Sequence, residues 1–166
     1  MSTLMPETLT AQAFAPFGEV IEARGSPRGI NYGATERYHD LARIDCAAEG
    51  GRTIVNIFRS TPPQFPFVVR VMERHPKSSQ AFMPLSGRPF LVVVAPKGDF
   101  DPAAVRAFRA GPGQGVNFAP GTWHHFNLAL EAQSDFLVID REGPATEQDG
   151  GNCDEVVLDP PLLLRP

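Results

Sequence analysis

Apolar residues along this chain fall in short runs, several of which alternate with polar residues, and glycine and proline separate the runs. A period of two is typical of a strand with one buried face, whereas a short continuous apolar run indicates a strand that is buried on both faces. The chain holds 15 glycine and 17 proline residues, which favours many strands joined by turns over long helices. The predicted strands are Thr53–Arg59, Phe67–Arg74, Gln80–Leu85, Phe90–Ala95, Gly115–Phe118, Trp123–Leu130, Phe136–Arg141 and Glu155–Leu158.

Two short helices are also predicted. The first is 11–17, where Thr10 is a suitable N-cap, and the second is 102–108, where Asp101 can cap and Pro102 fits the first turn. Strands at this regular spacing are typical of a sandwich or a barrel. We therefore expect an all-β fold with one or two short peripheral helices.

Chain length and net charge indicate the number of domains and the kind of partner. A chain of 166 residues is long enough for one ordinary domain, so we expect a single domain over residues 1–166. The net charge is only −4 and is spread along the chain, which predicts a small-molecule or protein partner and neither nucleic acid nor a membrane. The N-terminus resembles no secretory signal, and Cys46 and Cys153 are expected to be reduced thiols, so a cytoplasmic location is expected.

A polar group interrupts the apolar run "VVRVMERH". The period of two places Glu73 and His75 on one strand face, and the turn "PKSS" that follows brings Gln80 near His75 across a hairpin. Burying these side chains inside a barrel without partners costs several kcal/mol. They must therefore bind a ligand or a metal, or satisfy one another.

The spacing from Glu73 and His75 to Gln80 and Gly87 resembles the first motif of the cupin superfamily. The stretch "GQGVNFAPGTWHHFN" resembles the second cupin motif, with His124 as its histidine. The sequence departs from the usual pattern, because Glu73 replaces a histidine, Gln80 replaces a glutamate, a proline precedes Gly121 and Asn127 comes one residue early.

The resemblance implies a metal-ligand set of Glu73, His75, Gln80 and His124. Such nitrogen and oxygen donors suit nickel, iron, manganese or zinc, and the set contains no thiol. A structural hydrogen-bond cluster in a cupin without metal is the alternative interpretation. His125, adjacent to His124, is expected on the outer face or in a dimer contact, while Trp123 and Phe126 are expected to be packing residues.

Segments throughout the chain together resemble the ureidoglycolate lyase family. They occur in one colinear order: "ERYHDLA" at 36–42, "ERHP" with "QAFMPLSG" within 73–87, "VVVA" at 92–95, "RAF" at 106–108, "GVNF" at 115–118, "WHH" at 123–125, "DFLVIDR" at 135–141 and "NCD" at 152–154. Membership would imply a cupin-type double-stranded β-helix, or jelly-roll barrel, and a homodimer. It would also imply cleavage of ureidoglycolate to glyoxylate and urea in allantoin (purine) catabolism, and a divalent metal, for which Ni²⁺ has been proposed in the family.

That reaction also needs side chains that bind the substrate carboxylate and carry a proton. Arginine is the usual partner of a free carboxylate, and Arg37, Arg59 and Arg141 lie in or next to the resembling segments. His39 is the candidate proton carrier, because the unperturbed pKa of histidine is close to neutrality. Asp140 is expected to orient a neighbour on the strand, or else to pair with Arg141 or with a turn amide.

Two other classes of function remain compatible with these residues. Cupin scaffolds support many chemistries, so a metal-dependent isomerase or dioxygenase is one alternative, and a non-catalytic metabolite-binding cupin is the other.

Overall fold

The protein consists of β-strands in two large sheets and one small sheet, as a computed structural model describes for residues 2–166. One α-helix, α1 (Ala11–Phe14), and three 3₁₀ turns complete the secondary structure of these residues, and none of their helices is long and apolar enough to cross a membrane. The turns are Asn31–Gly33, Ala48–Gly50 and Pro102–Ala104. In chain order the strands are β1 (Thr3–Leu4), β2 (Glu7–Thr8), β3 (Gly18–Ile21), β4 (Arg28–Ile30), β5 (Thr35–Arg37), β6 (Arg52–Ser60), β7 (Phe67–Arg74), β8 (Gln80–Pro84), β9 (Phe90–Ala95), β10 (Arg106–Ala110), β11 (Gly115–Phe118), β12 (Trp123–His124), β13 (Leu128–Ala129), β14 (Ser134–Glu142) and β15 (Asp154–Leu164).

The two large sheets face each other and form a cupin-type β-barrel. The first has the order β1-β15-β7-β12-β9-β10-β2, with β13 also paired to β9, and the second has the order β3-β11-β8-β14-β6. Phenylalanine rings from both sheets fill the space between them, including Phe82, Phe90, Phe118 and Phe136. The prediction of an all-β cupin-type barrel with few short helices is confirmed.

Strand β9 is buried on both faces, which explains its continuous apolar sequence "FLVVVA". Its even-numbered residues, such as Val92, face the barrel interior, and its odd-numbered residues, such as Val93, join a second apolar cluster on the outer face of the first sheet. Trp123, Leu158 and Leu164 belong to this second cluster. The C-terminal strand β15 therefore contributes to an apolar layer outside the barrel.

The prediction of one continuous strand over 123–130 is wrong for the middle of that segment. His124 pairs with Val94 and Leu128 pairs with Leu91, so three residues on one strand oppose two on β9. One extra residue makes a β-bulge, which reverses the faces on which the following side chains lie. As a result His124 and Asn127 both line the same cavity, whereas Leu128 joins the outer cluster.

The prediction of a helix over 102–108 is also wrong beyond the first turn. Asp101 caps as expected, with its Oδ1 accepting a hydrogen bond from the Ala103 amide at 2.9 Å, but only a 3₁₀ turn follows. Pairing with β9 then takes over, because β10 alternates and buries Phe108 and Ala110 in the core. Local capping chemistry gave the right start, and packing against β9 decided the rest.

The remaining differences concern lengths and short strands. Helix α1 ends at Phe14 instead of continuing to Phe17, although Thr10 caps it as predicted. The C-terminal strand continues beyond Leu158 to Leu164, with an irregularity in its pairing to β7 between Val157 and Leu162. Strands β1 to β5 and β13 have two to four residues each and carry too few positions for a periodic pattern.

Candidate active site

One carboxylate and two imidazole side chains meet inside the barrel. The turn at Gly121, with a φ of +80°, precedes β12, and β12 sets His124 directly opposite Glu73 of β7. His124 Nδ1 lies 3.9 Å from Glu73 Oε1, and the rings of His75 and His124 are 5.1 Å apart between centroids. One potential ligand atom from each of Glu73, His75 and His124 lies within 4.8 Å of the others.

Gln80, the first residue of β8, is buried beside this group and is oriented by Asp140. Gln80 Nε2 donates a hydrogen bond to Asp140 Oδ2 at 3.3 Å, and Asn56 Nδ2 donates to Asp140 Oδ1 at 2.9 Å. An ionised carboxylate only accepts hydrogen bonds, so it selects the NH₂ end of the Gln80 amide. Gln80 Oε1 is consequently left for the cavity, where it has no protein partner.

A loop carbonyl orients His75 in a similar way. His75 Nδ1 lies 2.8 Å from the carbonyl oxygen of Asn152. Because a carbonyl only accepts, Nδ1 carries the proton and Nε2 has the free lone pair. Asn152 itself is held by its side chain, which accepts from the Lys77 amide at 2.7 Å and donates to Ser78 Oγ at 2.8 Å.

His124 sits in the most apolar surroundings of the group. Its ring stacks on Phe118 with centroids 4.4 Å apart and planes 11° from parallel, and the side chain is 2% exposed. Burial, and secondarily the nearby His75, lowers the pKa of His124 to about 3. The imidazole is therefore neutral near pH 7 and keeps a lone pair available.

Several buried polar atoms in this group have no hydrogen-bond partner in the protein. They are His75 Nε2, Gln80 Oε1, and Nδ1 and Nε2 of His124. Leaving a buried polar atom unsatisfied costs about 1–3 kcal/mol, so such a concentration of them is unusual for structure alone. Three side chains of this group thus have potential ligand atoms without a protein partner, which is typical of a ligand or metal site.

Two cavities meet at Gln80. The larger, about 320 Å³, is lined by His75, Gln80, Asp140, Arg141 and the loop from Glu142 to Cys153. The smaller, about 70 Å³, is lined by Glu73, Gln80, His124 and Asn127 with apolar walls that include Phe58, Phe82 and Phe136. The group is thus reached from a polar side and enclosed on an apolar side.

Comparisons with known proteins agree with this architecture. The family model described as ureidoglycolate lyase matches residues 1–165. A protein named ureidoglycolate lyase from Burkholderia mallei (strain NCTC 10229) is 53% identical over 165 residues, which are 99% of this chain and 94% of the relative. Proteins of the same name from Stutzerimonas stutzeri (strain A1501) and Brucella ovis (strain ATCC 25840 / 63/290 / NCTC 10512) are 51% and 56% identical, covering 100% and 86% of this chain and 97% and 85% of theirs.

The chain belongs to the ureidoglycolate lyase family.

Only some of the segments that resemble the family contribute residues to the site. Glu73, His75, Gln80 and His124 converge, as the cupin motifs predicted for their positions. By contrast, "ERYHDLA" begins in β5 and contributes no residue to either cavity, so Arg37 and His39 lie outside the cavities of their own chain.

The two other candidate arginines are engaged in contacts of their own. Arg141 lines the larger cavity, but its guanidinium donates to Glu147 at 2.8 and 3.1 Å and to the Ala48 carbonyl at 3.0 and 3.2 Å. Arg59 is exposed and pairs with Asp135 at 2.8 and 2.9 Å, on the β6 face opposite to Phe58. Neither guanidinium is free for a substrate carboxylate in this arrangement.

His125 points away from His124, as expected for a residue on the outer face. It is only 3% exposed there and packs edge-on against Phe67 with ring centroids 5.4 Å apart. The outer face of the first sheet is covered by apolar residues of the same chain, so no open surface is left at this position. Trp123 is a packing residue as predicted, whereas Phe126 is 57% exposed at the rim of the smaller cavity.

Sequence reasoning missed several residues around the group. The sequence predicts no role for Asn152 and only a shifted motif position for Asn127. Cys153 is predicted only to be a reduced thiol, yet its Sγ lies 3.8 Å from Glu73 Oε2. Glu73, Cys153 and Glu155 form a second group of close ligand atoms, so a thiol is after all near the site. Burial and the charge of Glu73 raise the pKa of Cys153 to about 11, which keeps this thiol protonated near pH 7. Asp140 does orient another side chain, but this is Gln80 of the adjacent strand β8 and not a neighbour on its own strand.

The lowered pKa of His124 predicts a specific acid sensitivity of the metal-free protein. Between about pH 6.5 and 3 the unfolded chain binds a proton at this histidine and the native state does not, so stability falls as pH falls. From pH 7 to pH 5 we expect this residue to account for about 2 kcal/mol of lost unfolding free energy. Urea unfolding of His124→Asn in chelator should therefore show a smaller loss than the unsubstituted protein.

An equal pH dependence of the unfolding free energy in His124→Asn and in the unsubstituted protein would contradict the assignment to His124.

Proposed function

We propose that the protein cleaves ureidoglycolate to glyoxylate and urea, with Glu73, His75, Gln80 and His124 holding a divalent metal. The observation that carries this proposal is the set of buried donor atoms without protein partners. The names of the relatives, whose sequences match over nearly the full chain, support the substrate.

The donor set is chemically suited to a metal. It comprises a carboxylate, two imidazoles and one amide oxygen, and the two imidazoles are neutral when they bind. His75 already has its Nδ1 proton bound to a carbonyl, and Gln80 has its NH₂ bound to Asp140, which are the outer contacts that orient ligands in metal sites. A dication bound by Glu73 alone among charged groups would keep one net positive charge.

The reaction moves one proton within the substrate. Ureidoglycolate carries a hydroxyl and a urea nitrogen on the same carbon, so cleavage transfers the hydroxyl proton to the nitrogen as the carbon–nitrogen bond breaks and a carbonyl forms. A bound dication supplies a Lewis acid that lowers the pKa of a coordinated hydroxyl. The protein must additionally bind the carboxylate, exclude bulk water and provide a path for the proton.

The described residues account for part of these tasks. Phe58, Phe82 and Phe136 form the apolar wall of the smaller cavity, which limits water on that side of His124. Asp140, which lines the larger cavity, maintains the orientation of Gln80. Arg37, Arg59 and Arg141 as carboxylate ligands and His39 as proton carrier stay predictions.

Three finer properties belong to the same proposal. Nickel is the metal we propose, since mixed nitrogen and oxygen donors suit it. A cytoplasmic location is supported by the two free cysteines. A homodimer is supported by the exposed aliphatic side chains of Val55 and Ile57 on the second sheet.

The proposal predicts metal-dependent release of glyoxylate. Purified protein should convert ureidoglycolate to equal amounts of glyoxylate and urea, lose this activity after chelation, and regain it with Ni²⁺ or another divalent ion. Metal content measured before and after chelation checks the correlation. Glyoxylate release that persists in metal-depleted protein would contradict the metal proposal, and absence of release with every common divalent ion would favour an isomerase, a dioxygenase or a binding protein.

Two substitutions test the ligand set directly. His124→Ala should abolish activity in a folded protein, and Glu73→Gln should weaken metal binding, because it removes the only carboxylate of the set. Titration of metal-depleted protein with Ni²⁺ measures the affinity, and circular dichroism verifies the fold. His125→Ala is a matched control, since that histidine is equally buried but faces the other side, and it should retain metal binding.

Asp140→Asn tests the orientation of Gln80. Asparagine can donate as well as accept, so the Gln80 amide becomes free to rotate its NH₂ into the cavity. We expect the affinity for Ni²⁺ to fall by about 10–100-fold, as for other residues that orient ligands. Asp135→Asn, on the same strand but paired with Arg59 outside the barrel, should leave the affinity unchanged, and equal affinities of both variants would remove this role from Asp140.

A further inference from the structure

A β-hairpin projects from the second sheet without packing on its own chain. We call residues 28–40 the arm; it comprises β4, the turn Asn31–Gly33, β5 and the three residues that follow. Every residue from Arg28 to Arg37 is exposed, and Tyr32 at the tip is fully so. Among residues 2–166, the hydrogen bonds of the arm join arm residues to one another.

Such a hairpin requires a surface to pack on. An isolated two-stranded hairpin is only marginally stable in water, and here the two exposed apolar side chains Ile30 and Tyr32 gain nothing from their own chain. A surface of another molecule would bury these two side chains.

The face of the barrel from which the arm emerges is itself apolar. On its outer side β6 exposes Val55 and Ile57, which pair with Ile139 and Leu137 of β14. We call these four residues the aliphatic patch. The segment after the arm returns along the same side, where the Arg43 carbonyl accepts a hydrogen bond from Asn117 of β11.

Two arginines of the arm have no anionic partner within the described part of their own chain. Arg28 and Arg37 are directly paired across the hairpin, and like charges in such positions repel each other. No ion pair within residues 2–166 involves either of them. The arm also carries Glu36 and Asp40, but these contribute no ion pair to the two arginines either.

The mouth of the larger cavity offers the complementary charge. Its lining includes Asp140, Glu142 and Asp149, and it begins one residue after Ile139 of the aliphatic patch. Among the described residues, Arg141 is the one arginine or lysine that lines either cavity, and its donors are taken by Glu147 and Ala48. Among the described residues, neither cavity thus offers a free cationic side chain to an anionic substrate.

We propose that the arm packs on a second copy of this chain, and that its Arg37 and His39 complete the substrate site of that copy. In a two-fold dimer the contact occurs twice, so each arm serves the other subunit's cavity. Arg37 then binds the substrate carboxylate, and His39 reaches the larger cavity beside it. The roles of these two residues depend on the proposed lyase function, whereas the contact between copies does not.

Complementation between two inactive variants tests the arm. Arg37→Ala and His124→Ala, each inactive or nearly so alone, are co-expressed with different tags and purified together. If the arm acts on the other subunit, random pairing makes half of the molecules mixed, each with one complete site, and about a quarter of the unsubstituted activity returns. No recovery in purified mixed dimers, or full activity of Arg37→Ala alone, would overturn the proposal.

Molar mass by light scattering tests the contact without any assay of activity. The unsubstituted protein should be a dimer, and the double charge reversal Arg28→Glu with Arg37→Glu should shift it toward monomer. Arg109→Glu, an exposed arginine on β10 in the first sheet, is the matched control and should remain dimeric. A monomeric unsubstituted protein, or a reversed arm that leaves the dimer intact, would overturn the contact, while an intact dimer without glyoxylate release would count against the lyase function alone.

Discussion

The register between β7 and β12 is the constraint on which the candidate site depends. It sets Glu73 opposite His124, and a slip of β12 by one residue would send His124 to the outside of the barrel. The bulge that follows His124 then keeps Asn127 on the inner side while Leu128 joins the outer cluster. A two-residue strand is held in this register from both sides, by β7 and by the doubly buried β9.

Desolvation gives the converging residues their chemical character. The stacking of His124 on Phe118 and its enclosure keep the imidazole neutral, while contacts to Asp140 and to the Asn152 carbonyl leave Gln80 and His75 with their lone pairs directed inward. The protein maintains these unfavourable buried atoms through fixed contacts around them. Family membership, shown by the sequence comparisons, agrees with a site of this kind.

Much of the barrel could be predicted because its central strands carry strong patterns. The bounds of β7, β9 and β11 agree with the prediction at both ends, since each strand combines apolar residues with clear turn signals. The helix expected over 102–108 failed because pairing with β9 outweighed a local cap, and the bulge at 125–127 leaves no period to detect. Motif spacing brought Glu73, His75 and His124 together correctly. Which residues orient Gln80 and His75 was not predictable, because Gln80 and Asp140 are 60 positions apart and His75 and Asn152 are 77 apart.

The bond from His75 to Asn152 involves a backbone carbonyl, and that carbonyl belongs to the loop that walls the larger cavity. One residue, Asn152, thus forms part of the cavity wall and also fixes the tautomer of His75. Its side chain is bonded to Lys77 and Ser78, so both roles depend on the turn that precedes β8.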